Sequence, residues 1–189
     1  MEVFLPEILK IALDNKIISI CASFFNALPK LTYLKLIKNY ANKLSRFDTQ
    51  YFHYDENAIK LLKVFVYLND VNNNTEGPFC YVRKSHFNAK NNWGKSVRYS
   101  DAEVEIMEDK KNIMEVNAKK GDVIIANTVA LHRGLKPISK DINTLIINYG
   151  IHQDYTFDNK LDKTAKISKE IFNKLDSDQK GVASLLDKI

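Results

Sequence analysis

Two cysteines, six glycines, four prolines and one tryptophan are few for a chain of 189 residues, and each scarcity narrows what the protein can be. Cys21 and Cys80 lie far apart, so the chain reads as a reduced, intracellular protein and not as a disulfide scaffold. There is no Gly/Ser linker, internal repeat or low-complexity tract, which points to one domain over residues 1–189. Long apolar runs are missing too. The stretches 17–25 and 61–68 fall far short of the roughly 20 residues that a membrane span needs. The start, Met1 to Pro6, lacks the basic residues of a targeting peptide, so a cytoplasmic protein with no membrane partner is expected. Arginine is scarce as well: of 28 basic residues four are arginine (Arg46, Arg83, Arg98, Arg133) and the other 24 are lysine. The formal charge of +5 therefore does not point to nucleic acid, because bidentate contacts to phosphate and guanine are made by arginine. What the chain has is 45% hydrophobic residues. At this length a fold buries roughly 70% of its unfolded surface, enough for a core and an enclosed site without staples.

Pro6 suits the first turn of a helix, and Ile8, Ile11, Ala12 and Ile17 follow near the 3.6 period. Leu31, Leu34, Leu36, Ile37 and Tyr40 predict a second helix over 31–44, so residues 1–47 read as helical. From residue 48 the pattern changes. Short runs rich in aromatic and β-branched residues at 51–54, 61–68, 79–82, 113–116, 122–126 and 144–149 predict strands. Asn69-Asp70, Asn72-Asn73-Asn74 and Gly121-Asp122 are the turns among them. A polar insertion over 84–108 holds Trp93-Gly94 and a short amphipathic piece at 102–107. The segment 48–157 is thus the β-rich core, and 158–189 reads as a tail with helices near 167–175 and 182–186. Helices followed by strands with few helices between them predict an α+β chain, mainly β, built on an antiparallel barrel or sandwich.

His53 and Asp55 are two apart, and in an extended chain such residues point to the same side. His132 follows the strand predicted at 122–126. Two imidazoles and one carboxylate on one side of a metal leave adjacent positions open, the arrangement of a non-haem Fe(II) oxygenase. His86 reads as a loop histidine and His152 lies past the last strand. Asn127 and Thr128 precede His132, where they can orient its ring.

The text around these residues is more specific than the spacing. Tyr51-Phe-His53-Tyr-Asp55, Leu62-Lys63-Val-Phe-Val-Tyr-Leu-Asn-Asp-Val71, Gly77-Pro-Phe79, Tyr81-Val82 and Ser85-His86 form one block. Gly121-Asp-Val-Ile-Ile-Ala-Asn127-Thr128 and Leu131-His132-Arg133-Gly134 form a second. Over about residues 48–150 the chain resembles the phytanoyl-CoA dioxygenase family of Fe(II)/2-oxoglutarate oxygenases. The resemblance implies a double-stranded β-helix, a jelly-roll barrel with iron at its mouth held by the catalytic and metal-ligating set His53, Asp55 and His132. It implies 2-oxoglutarate and dioxygen as cosubstrates and a small organic molecule as the compound hydroxylated. Related halogenases replace the carboxylate by a small residue, so Asp55 favours oxygen transfer.

The family's keto-acid arginine, about eleven residues past the distal histidine, is absent. Asn143 stands there and can offer hydrogen bonds but no charge. Lys63, on the same face of its strand as Phe65 and Tyr67, is the first candidate to replace it. Lys140 and Arg133 are the others, although Arg133 should point away from His132. Gln50 can hydrogen-bond cosubstrate near the metal. Two other readings stand beside the oxygenase: a non-catalytic jelly-roll protein that binds a small molecule without the arginine, and a cupin-like metalloenzyme that uses no keto acid.

Overall fold

The computed structural model describes residues 6–55, 60–92, 95–151 and 166–189. Its elements in chain order are α1 (Pro6–Ala12), α2 (Asn15–Phe25), β1 (Lys30–Asn39), β2 (Leu62–Tyr67), β3 (Phe79–Val82), α3 (Asp101–Met107), β4 (Ile113–Val116), β5 (Val123–Asn127), β6 (His132–Gly134), β7 (Ile142–Gly150), β8 (Lys166–Ile167), α4 (Lys169–Lys174), α5 (Ser177–Val182) and β9 (Asp187–Lys188). The mixture is mainly β, as the order of predicted elements implies. Contacts gather into two compact units, residues 1–35 with 147–189 and residues 36–146, where the sequence suggests one. None of the described helices is long and apolar enough to cross a membrane. The expected features at Trp93-Gly94 and His152 lie outside the described residues.

In the first unit the helix boundaries follow from side-chain chemistry. The Asp14 carboxylate accepts the N–H groups of Lys16 and Ile17 at the start of α2, and Asn26, at φ 55°, ends it in the left-handed conformation. Ile18, Cys21 and Phe25 form its buried stripe. Ser168 caps α4 and a reciprocal Asp176–Gln179 capping box opens α5. α4 lies within the helix expected near 167–175, with Ile167 instead in the short strand β8, whereas α5 ends where the helix expected at 182–186 begins and residues 183–185 form a 3₁₀ turn.

The helix predicted over 31–44 is wrong: residues 30–39 are the strand β1. The apolar spacing misled because Leu31 and Leu34 are buried while Leu36 and Tyr40 face solvent, so no helical stripe exists. Thr32, Tyr33 and Ile37 favour a pleated surface, and β1 finds a partner in β7. The Thr32 hydroxyl donates to the Asn148 carbonyl (3.1 Å) and accepts from the Asn148 side-chain amide (2.8 Å).

In the second unit β7 lies beside β2 and β2 beside β5, while β4, β3 and β6 form a separate sheet in that order. β2–β5, β3–β4 and β3–β6 pair antiparallel, with Lys63 opposite Ala126, Phe79 opposite Gly134 and Tyr81 opposite His132. The strands predicted at 61–68, 79–82, 113–116 and 122–126 thus form within a residue or two. The one predicted at 51–54 is reduced to two isolated bridges, Phe52 to Tyr99 and His53 to His132.

Alternation along β3 supplies two cores. Phe79 meets Phe65, Tyr67, Ala126 and Ile142 between the sheets, whereas Cys80 and Val82 meet Phe52, Tyr54, Val104 and Leu131 on the other face. Each such apolar side chain contributes about 1.5–3 kcal/mol on burial. The Phe79 N–H donates to the Tyr67 hydroxyl at 3.0 Å, which fixes one sheet on the other. Before β3 the chain turns at Gly77, where φ is +80° and a Cβ would lie 2.7 Å from the Leu135 carbonyl oxygen. Only glycine fits there.

Candidate metal centre

The bridge between His53 and His132 builds the site. Each backbone N–H donates to the other's carbonyl, at 2.9 and 3.0 Å, which sets the two imidazoles side by side with ring centroids 4.3 Å apart. Asp55 is held by its own backbone, its N–H donating to the Thr128 carbonyl at 3.0 Å. One ligand atom from each of His53, Asp55 and His132 lies within 4.8 Å of the other two. The Nε2 atoms are 4.0 Å (His53) and 3.7 Å (His132) from Asp55 carboxylate oxygens. His53 and His132 are buried, and Asp55 is nearly so.

Both rings are oriented the same way. Nδ1 of His53 lies 3.0 Å from the Tyr51 carbonyl and Nδ1 of His132 lies 2.9 Å from the Ala130 carbonyl. A carbonyl can only accept, so each Nδ1 carries the proton and each Nε2 lone pair faces the cluster. Burial drives both imidazoles towards the neutral form, lowering the His53 pKa and taking that of His132 down to about 3. Burial alone would raise the Asp55 pKa. The Lys63 ammonium, 2.6 Å from its Oδ2, more than offsets this and holds it well below the usual carboxylate range. Neutral imidazole and ionised carboxylate are the forms that bind a metal. Two nitrogens and one carboxylate oxygen on one side suit a first-row divalent ion such as Fe(II).

Lys63 thus joins the three. The other expected cosubstrate residues make contacts elsewhere. The Gln50 side-chain carbonyl accepts the Phe47 N–H (3.0 Å). The Asn143 amide and backbone N–H both donate to the Asn69 side-chain oxygen. Arg133 pairs with Asp101 and lies over the Phe52 ring, on the other face of β6 from His132, as alternation predicts. Lys140 pairs with Glu76 at 2.8 Å, and the His86 ring stacks on Phe87. Asn127 and Thr128 support the site through their backbones: Asn127 O accepts the Tyr81 hydroxyl (3.2 Å) and Thr128 O accepts from Asp55.

The residues not anticipated are Tyr51 and Ala130, which act through carbonyls that any residue type supplies. Ser85 is a third. Its hydroxyl donates to Val82 O (2.8 Å) and accepts the Leu131 N–H (2.7 Å), pinning the residue before His132. The Ser85-His86 piece of the motif is its only sequence signal.

A family model for phytanoyl-CoA dioxygenase (PhyH) matches residues 44–142, more than half of the chain, including His53, Asp55, Lys63 and His132. No curated protein sequence matches significantly. Among solved structures, HygX from Streptomyces hygroscopicus with nickel and 2-oxoglutarate bound is 17% identical with a TM-score of 0.58, over 79% of this chain and 66% of HygX. HygX with iron bound gives 18% and 0.55, over 79% and 68%. The alpha ketoglutarate dependent epimerase SnoN from nogalamycin biosynthesis gives 17% and 0.51, over 75% and 55%. At these identities the likeness is one of fold. The chain spans about two thirds of the length of HygX and little more than half of SnoN.

Proposed function

The chain belongs to the phytanoyl-CoA dioxygenase family, and from that membership and the geometry of the cluster we propose that it is an Fe(II)- and 2-oxoglutarate-dependent oxygenase that hydroxylates a small organic molecule. The observation that carries the reading is the convergence of His53, Asp55 and His132 within 4.8 Å, with both Nδ1 atoms on carbonyls and both Nε2 atoms free for a metal. We read the two sheets of residues 36–146 as the halves of a double-stranded β-helix. Iron with the keto acid chelated to it supplies the activation of dioxygen. The residues supply everything else. His53 and His132 offer neutral nitrogens, and Asp55 offers the third ligand as an oxygen, which favours hydroxylation over halide transfer. Lys63 is the cation next to the cluster and serves the far carboxylate of the keto acid, exchanging its contact with Asp55 for that with the cosubstrate. Phe79, 5.8 Å from the His132 ring, and Phe65 form a dry wall that keeps bulk water from the reacting centre. That HygX holds 2-oxoglutarate on a similar fold supports the cosubstrate, and SnoN marks epimerisation as the competing outcome.

The test is substrate-free turnover. With Fe(II), 2-oxoglutarate and air the purified protein is expected to form succinate slowly, and His132→Ala to form none. Succinate production equal in the two proteins would contradict the assignment. A second reading, a jelly roll that binds a small molecule without catalysis, is favoured by Asn143, which stands where a guanidinium is expected and is bonded to Asn69. That reading predicts no succinate from either protein.

A further inference from the structure

On the opposite face of β6 from His132 lies a cleft of about 650 Å³ lined by Lys43, Arg46, Arg133 and Lys136 as well as two carboxylates, Asp101 and Glu115. Its volume is that of a small-molecule site, and its charges do not balance. Asp101 is shared by two guanidiniums, Arg46 at 2.6 Å and Arg133. Arg133 is almost fully buried, yet its Nε–H has no partner. Lys136 is equally buried and, among the described residues, its ammonium meets only the carbonyls of Leu44 and Ser45, which leaves one of its three donors over. Among the described residues neither Lys43 nor Lys136 has a carboxylate partner. A buried cation without a counter-charge costs several kcal/mol, so the cleft is short of negative charge.

We infer that this cleft binds a phosphate monoester of a polar small molecule, at a site separate from the metal centre. Guanidinium forks together with ammonium groups are the donor set that suits phosphate. The cleft is larger than inorganic phosphate requires. On its wall the Asn74 amide can meet a ligand hydroxyl, and Asn42 and Thr75, already bonded to Tyr40, Leu44 and Asn73, keep a spare lone pair each, so the ligand carries a hydroxylated group on its phosphate. No metal takes part, and the site stands whether or not the oxygenase reading does.

Calorimetric titration of the EDTA-treated full chain with glucose 6-phosphate, inorganic phosphate and succinate tests this. The sugar phosphate is expected to bind one per chain, at least about tenfold more tightly than inorganic phosphate or succinate, with affinity falling as salt rises. Lys136→Met and Lys43→Gln should each weaken it by about tenfold, the loss of one charge-assisted hydrogen bond. Lys43 is exposed, so its variant folds even where loss of Lys136 proves disruptive. No saturable binding by the sugar phosphate at millimolar concentration, equal affinity for inorganic phosphate, or unchanged affinity in Lys43→Gln would each overturn the inference.

Discussion

Two backbone carbonyls decide which nitrogen of each imidazole is left for a metal. Because Tyr51 O and Ala130 O hold the Nδ1 atoms, His53 and His132 present Nε2 without needing carboxylate partners of their own. The His-x-Asp frame and the distal histidine were legible because residue identity alone carries them. The carbonyls were not, since any residue provides one. Nor was the diversion of Gln50 to Phe47 or of Asn143 to Asn69, which depends on local turns. Lys63 was found through strand alternation, and its contact with Asp55 makes it the residue to test. Lys63→Met is expected to raise the Kd for 2-oxoglutarate at least about tenfold, as loss of a charge-assisted contact should, while the protein still binds one Fe(II); an unchanged Kd would remove Lys63 from the cosubstrate site. The two thiols allow a pH test. Burial pushes the Cys21 thiol up to about 11 and raises that of Cys80, so the reactive thiolate is scarce below that pH. Labelling of the native protein with a disulfide reagent at pH 8 should therefore be slow for both thiols and immediate in denaturant. Rapid labelling of the native protein would contradict their burial.

Most strands around the site are legible because their signal is local, aromatic and β-branched runs between turn formers, but the expected strand at 51–54 shrinks to two bridges and the three-residue β6 is too short to show a pattern. β1 was misread because its apolar residues imitate a helical stripe, and only pairing with β7 reveals the strand. Gly77, which the sequence shows only as part of the Gly77-Pro-Phe79 motif, takes its role from the turn it makes. Its positive φ and the Leu135 carbonyl at 2.7 Å from an added Cβ predict that Gly77→Ala loses about 1–3 kcal/mol, measured by urea unfolding; an unchanged midpoint would show that the turn relaxes freely. Ser85 ties the end of β3 to the residue before His132. Ser85→Ala leaves the buried Leu131 N–H without its acceptor, so a loss of about 1–3 kcal/mol should come with weaker iron binding.

Across the whole chain, the unit of residues 36–146 contains both the metal cluster and the basic cleft. The scarcity of arginine gains a structural meaning there. Of the four, Arg46 and Arg133 line one cleft, while the position expected of the keto-acid arginine holds Asn143. A lysine on β2 stands closest to the metal ligands in its place. Anaerobic titration tests directly whether these residues hold a metal to which the keto acid chelates. Protein loaded with Fe(II) is predicted to bind one ion per chain and to develop a weak visible charge-transfer band as 2-oxoglutarate is added, with neither seen in His132→Ala. Iron-loaded protein that shows no band at millimolar 2-oxoglutarate, or a His132→Ala variant that binds iron as well as its parent, would contradict it.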